Sequence, residues 1–179
     1  MSVKVYLGIG ANLEPLRHLE RALAALRAHD PHLEVSPAYR SPAVGFDGPE
    51  FVNLVAGFDF HGDLPALKHW LTQLESRCGR RREQHGYANR PLDLDILTFG
   101  DRVGRHHGID LPHPDILSAA HVLKPFSELA PDWRHPHGGQ KLRVLWRAAA
   151  AGAPALVPCT LAATGPPAVT PQLAAGRIT

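Results

Sequence analysis

The stretch Leu92-Asp93-Leu94-Asp95-Ile96-Leu97 is the basis of the fold prediction, because its apolar residues alternate with carboxylates. Such alternation predicts a β-strand whose apolar residues face the core while Asp93 and Asp95 stand together on the other face. Two such carboxylates, roughly 6 to 7 Å apart, repel each other unless a cation lies between them. Oxygen ligands of this kind suit Mg²⁺. In isolation, the pattern also fits an acidic, solvent-facing strand.

An arginine-rich segment precedes this strand. It reads Arg77-Cys78-Gly79-Arg80-Arg81-Arg82 and is followed by Arg90. Guanidinium groups bind phosphate oxygens bidentately and stay charged, so arginines beside metal-binding carboxylates indicate phosphoryl transfer. The alternatives for the arginines alone are a basic surface loop or a nucleic-acid patch.

The composition narrows the classes of function. The 179 residues, 44% of them hydrophobic, fit one core, and a net charge of +2 argues against a protein that mainly binds nucleic acid. Two distant cysteines predict a reducing, cytoplasmic setting, and the 12 histidines form no zinc motif. We expect no signal peptide, because a strand starts at Val3, and no membrane partner, because no apolar run is long enough to span a bilayer.

The periodicity along the chain predicts a split β-α-β order. The expected elements are strands at 3–9, 33–39, 51–60 and 92–97, helices at 16–29 and 64–78, and a helical segment at 114–129 interrupted at Pro125. We expect Asn12 and Asp63 to cap the two helices and Gly79 to end the second. The predicted fold is α+β and ferredoxin-like, with an antiparallel sheet and helices packed on one face. We expect one catalytic domain at 1–150 and a loosely ordered Pro/Ala/Gly-rich tail at 151–179.

Phe51 and Asn53 lie on the face of the third predicted strand that is opposite its hydrophobic row. An aromatic ring beside an amide makes a suitable site for a flat, nitrogen-rich ring, since the amide both donates and accepts hydrogen bonds. These two residues alone fit an edge asparagine beside a half-buried phenylalanine equally well.

Taken together, an ordered set of motifs resembles the 6-hydroxymethyl-7,8-dihydropterin pyrophosphokinase family of folate biosynthesis over roughly residues 3 to 137. The motifs are Tyr6-Leu7-Gly8-Ile9-Gly10-Ala11-Asn12-Leu13, Tyr39-Arg40-Ser41-Pro42 with Val44-Gly45, Phe51-Val52-Asn53, Glu75 with Gly79-Arg80-x-Arg82, Arg90-Pro91-Leu92-Asp93-Leu94-Asp95-Ile96-Leu97, and Leu111-Pro112-His113.

The resemblance implies a ferredoxin-like enzyme that transfers pyrophosphate from ATP to the hydroxymethyl group of the pterin, leaving AMP. By the same resemblance, two Mg²⁺ ions would be held by Asp93 and Asp95, and the catalytic arginines would be Arg80, Arg82 and Arg90. Nucleotide contacts are implied for Glu75, Arg82, Tyr87, Arg90, Ile96 and His113. Pterin contacts are implied for Ser41, Pro42, Val44, Phe51, Asn53 and His121. Loops around 43–50 and 80–90 would close over the substrates, and the partners would be ATP and the pterin, with the protein a monomer or weak dimer.

Three positions depart from the family pattern. Tyr87 stands nearest to a usual tryptophan, Ala119 replaces a frequent arginine, and His121 replaces a phenylalanine that stacks on the pterin. These changes leave open a non-catalytic or weakly active relative that binds pterin or nucleotide. An RNA-binding sheet shares the strand order, but aspartates on a central strand would repel RNA.

Overall fold

The computed structural model describes residues 1–79 and 89–162. The strands are β1 Val3–Ala11, β2 Glu34–Val35, β3 Ala38–Ser41, β4 Phe51–Phe60, β5 Asp93–Phe99, β6 Gly104–His106, β7 Ile109–Leu111 and β8 Val157–Cys159. The helices are α1 Pro15–His29, α2 Leu64–Arg77, α3 Asp115–Ser118, α4 Ala120–Leu129 and α5 Leu142–Ala149, with a 3-10 turn at Ala150–Gly152. The predicted site residues Arg80, Arg82 and Tyr87 lie outside the described residues.

The main sheet is antiparallel and has the strand order β5-β1-β4-β3-β8, with β2 paired to β4. Helix α1 follows β1, and α2 connects β4 to β5. The predicted ferredoxin-like, split β-α-β fold is therefore confirmed. Strands β6 and β7 form a separate hairpin, and no described helix has the length and apolar composition needed to cross a membrane.

Helices α1 and α2 pack on one face of the sheet, where alternate residues of β1 such as Val5, Leu7 and Ile9 are almost fully buried. Asp63 caps α2 by accepting a hydrogen bond from the backbone N–H of Ala66, as predicted. A second layer, formed by α3, α4 and α5, covers part of the opposite face through a separate hydrophobic cluster. The prediction of helices on one face holds for the first two helices, and the C-terminal helices add the other layer.

Two predictions about the N-terminal half were wrong. Asn12 does not cap α1, whose N-cap is Glu14, because the Asn12 side chain bonds to other segments. The expected strand at 33–39 is split into β2 and β3. The split occurs at Ser36 and Pro37. The Ser36 hydroxyl, in place of a backbone carbonyl, accepts a hydrogen bond from the N–H of Val55. Pro37 has no N–H and cannot donate to the ladder of hydrogen bonds between the strands.

Two predictions about the C-terminal half were also wrong. The helical segment is interrupted at Ala119, whose backbone is extended, and not at Pro125 as predicted. Helix α4 continues through Pro125, because the missing N–H of this proline removes only one hydrogen bond. Residues 151–162 are not loosely ordered, because β8 pairs with β3 and Leu161 is only 1% exposed within the core. Residues 163–179 of the expected tail lie outside the described part of the chain.

Candidate active site

The face of the sheet opposite α1 and α2 carries an open cleft of about 560 Å³. Its floor comes from β1, β4 and β5, and its walls come from the segment after β3 and the start of α4. The predicted site residues in its lining are Ser41, Pro42, Val44, Phe51, Asn53, Arg90, Asp93, Asp95, His113 and His121. Residues that are distant in sequence and predicted to share a site are thus brought together.

Gly10 lies at the centre of the floor. It pairs with Asp93 on β5 at one side and with Asn53 on β4 at the other, so these three residues form one row across three strands. Because Gly10 has no side chain, the Oδ1 atom of Asn53 occupies the space that a Cβ at this position would need. The glycine therefore lets the amide lie flat across the floor between the two halves of the cleft.

Asp93 and Asp95 stand side by side on this face, as predicted, with the leucine between them buried. Burial and, after it, the neighbouring charge of Asp93 raise the pKa of Asp95 to about 6, although His113 and Arg90 act in the opposite direction. No residue within 1–79 and 89–162 donates a hydrogen bond to the Asp95 carboxylate. A proton or a cation is therefore favoured at Asp95.

Asp93 is in a different situation, because Arg90 Nη1 donates to its Oδ2 atom over 2.6 Å. Both side chains are about one-fifth exposed, at 22% and 19%. The guanidinium supplies positive charge at Asp93 that a metal ion would also supply. A guanidinium in the cleft lining is also a group that can bind phosphate oxygens.

This pair of carboxylates fits Mg²⁺. Within residues 1–79 and 89–162 there is no group of three or more His, Cys, Asp or Glu side chains arranged to hold a metal. Two carboxylates facing an open cleft leave the remaining coordination positions to water and phosphate oxygens, which is the usual arrangement for Mg²⁺. Burial and the repulsion from Asp93 both raise the pKa of Asp95, and a bound cation would offset both.

The other half of the cleft is lined by Phe51 and Asn53, the aromatic ring and the amide that the sequence places on one face. Asn53 Nδ2 donates to Ser41 Oγ over 3.3 Å, which orients the amide. The ring of Phe51 meets that of Phe46 edge-on, with centroids 6.3 Å apart. Val44 is 61% exposed at the cleft, so an apolar surface is available to a ligand.

Helix α4 forms the opposite wall, with His121 in its first turn and Ala119 just before it. Burial lowers the pKa of His121, although the carboxylates of Asp115 and Asp93 raise it, so the imidazole is neutral at neutral pH. The two strongest departures from the family pattern therefore both line the cleft.

Helix α4 is fixed to the sheet by a polar network beside the cleft. The Tyr39 hydroxyl, next to Asn53 across the β3–β4 pairing, donates to Glu128 over 2.8 Å. Lys124 Nζ lies 3.1 Å from Glu128 and 5.1 Å from the ring centre of Trp146 on α5. This network connects α5 to the wall that carries His121.

A smaller cleft of about 200 Å³ adjoins the first and shares Asp95 and His113 with it. Ile96 and Lys68 also line it. His113 Nδ1 accepts a hydrogen bond from the backbone N–H of Asp115, so in a neutral ring the proton lies on Nε2.

Glu75 lines neither cleft. It is buried, and its Oε1 atom accepts a hydrogen bond of 2.8 Å from the backbone N–H of Leu94 on β5. Through this hydrogen bond Glu75 positions the strand that carries Asp93 and Asp95. Its implied contact with a nucleotide stays a prediction.

Sequence reasoning missed several cleft residues: Phe46, Asp115, Ser118, and the two floor glycines Gly8 and Gly10 as lining positions. Asp115 follows His113 by two residues and could have been found as a third carboxylate near Asp93 and Asp95. The sequence named these glycines only as part of a family motif, because their role on the floor depends on the strand register.

Three comparisons bear on this geometry. Residues 6–131 match the profile of the family described as 7,8-dihydro-6-hydroxymethylpterin-pyrophosphokinase (HPPK). The similar solved structures include Plasmodium falciparum HPPK-DHPS wild type, at a TM-score of 0.64 and 11% identity over 84% of this chain and 45% of that chain. The same protein with pteroate gives a TM-score of 0.65 at 12% identity. At this identity the solved structures support the fold alone, and the chain spans less than half their length.

Curated relatives named 2-amino-4-hydroxy-6-hydroxymethyldihydropteridine pyrophosphokinase are more similar in sequence. The Pseudomonas aeruginosa protein is 39% identical over 142 residues, covering 77% of this chain and 87% of that protein. The Synechocystis protein is 34% identical over 140 residues, covering 76% and 71%, and the Haemophilus influenzae protein is 32% identical over 134 residues, covering 73% and 83%. The chain belongs to the 7,8-dihydro-6-hydroxymethylpterin-pyrophosphokinase family.

Proposed function

We propose that this protein transfers pyrophosphate from ATP to the hydroxymethyl group of 6-hydroxymethyl-7,8-dihydropterin, a step of folate biosynthesis. The observation that carries the proposal is the single cross-strand row of Asp93, Gly10 and Asn53. Neighbouring strands lie about 4.8 Å apart, so the backbone positions of Asp93 and Asn53, two strands apart, are separated by roughly 10 Å. A ring held at Asn53 can therefore present a substituent to a phosphate held at Asp93.

In this reaction the hydroxymethyl oxygen attacks the β-phosphorus of ATP, and the bond from that phosphorus to the α,β-bridging oxygen breaks. AMP leaves with the bridging oxygen, and the hydroxyl proton passes to solvent. Phosphoryl transfer of this kind depends on positioning and on neutralising charge. When bound, Mg²⁺ at Asp93 and Asp95 supplies that neutralisation at the phosphate oxygens.

The protein's own residues do the positioning. Asn53 hydrogen-bonds to the edge of the pterin and Phe51 covers it, while Arg90 binds a phosphate once it no longer pairs with Asp93. Ile96 and His113 in the smaller cleft contact the nucleotide, with the N–H at His113 Nε2 available to a phosphate oxygen. The roles of Arg80, Arg82 and Tyr87, outside the described residues, rest on the family resemblance.

A second candidate function is a relative that binds the substrates and turns them over slowly or not at all. The position of Ala119 and His121 in the cleft lining favours it, because an arginine and a phenylalanine usual in the family are replaced where a ligand would lie. The intact Asp93 and Asp95 pair favours the enzyme.

The test is to incubate the protein with ATP, Mg²⁺ and 6-hydroxymethyl-7,8-dihydropterin and to separate the nucleotide products. We expect AMP and the pterin diphosphate in equal amounts, with none formed without pterin. Asp95→Asn is the matched control, since it keeps the size of the side chain. ADP as the product would contradict pyrophosphate transfer, and binding of both ligands without AMP would support the second candidate.

A further inference from the structure

A single buried amide joins the two halves of the cleft. Asn12, at the end of β1, is 3% exposed. Its Oδ1 atom accepts from the backbone N–H of Arg90 over 2.7 Å, and its own backbone N–H donates to the Arg90 carbonyl over 3.0 Å. Its Nδ2 atom donates to Asn89 Oδ1 over 2.8 Å and to the Pro49 carbonyl over 3.3 Å. One side chain thereby contacts the segment before β4 and the segment before β5.

Each of these segments leads directly into one half of the cleft. Pro49 lies two residues before Phe51, which covers the ring-binding half. Arg90 pairs with Asp93 in the metal-binding half. The two segments also touch each other, because a Cβ on Gly48 would lie 2.9 Å from Asn89 Oδ1. A displacement of either segment must therefore change contacts made by Asn12.

The chemistry of these contacts requires an amide. The Pro49 carbonyl can only accept and the Arg90 N–H can only donate, so the orientation of the Asn12 side chain is fixed by its two backbone partners. Aspartate would satisfy Arg90 but would place negative charge against the Pro49 carbonyl. A leucine of similar size would remove the side-chain bonds to the Pro49 carbonyl, Asn89 Oδ1 and the Arg90 N–H, and only the backbone bond to Arg90 would remain.

We propose that Asn12 is a positioning residue that couples the two half-sites, so that the nucleotide and its metal at Arg90 and Asp93 tighten binding of the pterin at Phe51 and Asn53. The inference rests on the proposed function, because it takes the two ligands from it. Its support is the set of hydrogen bonds that Asn12 makes to both segments, although Asn12 itself lines neither cleft.

The experiment measures the dissociation constant of 6-hydroxymethyl-7,8-dihydropterin with and without Mg²⁺ and an α,β-methylene analogue of ATP, whose bridge cannot be cleaved. The ratio of the two constants is the linkage factor. We expect the factor in the wild type to lie in the range of about 5 to 150 that is usual for coupled sites. Asn12→Leu should reduce it to within about twofold of one, and Asn12→Asp should reduce it less.

Two further variants keep the test decisive. Asn89→Ala removes one acceptor from an exposed residue, so the protein should fold and lose part of the linkage even if Asn12→Leu does not fold. Ser36→Ala removes a buried side-chain acceptor away from the cleft and should lower stability while keeping the wild-type linkage factor.

A linkage factor of one in the wild type, or unchanged factors in folded Asn12 and Asn89 variants, would overturn the inference. Either result leaves the proposed function standing if the wild type forms AMP. If the wild type forms no AMP but shows linkage that Asn12→Leu abolishes, the inference is supported and the function becomes that of a binding protein. A wild type that binds neither ligand overturns both.

Discussion

The two faces of the main sheet differ in how closely they are packed, although they are formed by the same strands. On the face covered by α1 and α2, β1 presents Val5, Leu7 and Ile9, which are at most 2% exposed. On the other face the same strand presents Gly8 and Gly10. The first face is filled by side chains, whereas on the second the missing side chain of Gly10 leaves the space that the Asn53 amide occupies.

The difference shows where stability and function lie in this protein. Burial of the apolar face stabilises the fold, since each fully buried leucine contributes about 1.5–3 kcal/mol. The open face carries groups that do not help folding, such as Asp95, whose pKa is raised by burial and by Asp93. Substitutions on neighbouring residues of one strand should therefore have opposite consequences.

The largest effect is expected on the open face of β5. Asp93→Asn and Asp95→Asn should each lower the rate of AMP formation by roughly 10³-fold or more, because charge stabilisation of the transferring group is lost. Far-ultraviolet circular dichroism should show an unchanged fold. AMP formation near the wild-type rate at ordinary Mg²⁺ would remove the metal assignment.

The next effect concerns Leu94, which lies between the two aspartates and points to the opposite face. Leu94→Ala should lower the free energy of unfolding by about 2–5 kcal/mol, because it opens a cavity in a face where the side chain is 1% exposed. Urea denaturation measures this loss. If Leu94→Ala reduced turnover per folded molecule as much as Asp93→Asn, the separation between the faces would fail.

A methyl group on the floor of the cleft gives a smaller effect. Gly10→Ala should displace the Asn53 amide, because the new Cβ would take its place. We expect the KM for the pterin to rise about tenfold, which corresponds to the free energy of one lost hydrogen bond. Gly8→Ala is the matched control, because its Cβ would meet the nearest atom, on Leu97, at an ordinary 3.4 Å. Steady-state kinetics with saturating ATP distinguishes the two, and equal KM values for both variants would contradict the role of Gly10.

The smallest effect is expected at His121. If it contacts the pterin, His121→Phe should tighten pterin binding by about 0.5–1.5 kcal/mol, the scale of an aromatic pair. Because burial lowers the pKa of His121 below 6.5, the wild type should lose pterin affinity only as pH falls below about 6.5, and the variant should not. Titrations at pH 5.5 and 7.5 test this, and identical pH profiles would mean that His121 does not contact the pterin.

The helix-covered face was predictable because its signals are local. Alternation in β1, β4 and β5 and the Asp63 cap are visible within a few residues, and they gave the strand phases correctly. The open face was predictable only where a residue type carried chemistry by itself, as Asp93 and Asn53 do. The row through Gly10 depends on pairing between strands more than 40 residues apart, which no local pattern contains.

The other errors have similar physical causes. Pro125 and Pro158 are residues that usually end a helix or a strand, yet the surrounding packing keeps α4 continuous and β8 paired with β3. Asn12 looked like a helix cap because its residue type favours that role. Its hydrogen bonds instead go to segments distant in sequence, beginning with Pro49.

Asp95 is expected to lower the stability of the folded protein until a cation binds, and the pH dependence of this effect has a definite sign. Because the pKa of Asp95 is raised from 3.8 to about 6, the folded protein binds more protons than the unfolded chain between about pH 4 and 6. The contribution of Asp95 should therefore lower the free energy of unfolding of the metal-free wild type as pH rises across that range. Asp95→Asn should not show this component.

The most direct measurement is the free energy of unfolding of wild type and Asp95→Asn at pH 7.5, with and without Mg²⁺ and the α,β-methylene analogue of ATP. Without ligands, we predict that Asp95→Asn is at least as stable as the wild type, with any excess shrinking as pH falls below 6. With ligands, the wild type should gain clearly more stability than Asp95→Asn, because binding to the folded state is linked to stability. A ligand-free Asp95→Asn protein that is less stable than the wild type, and that gains equally from Mg²⁺ and the analogue, would contradict the account.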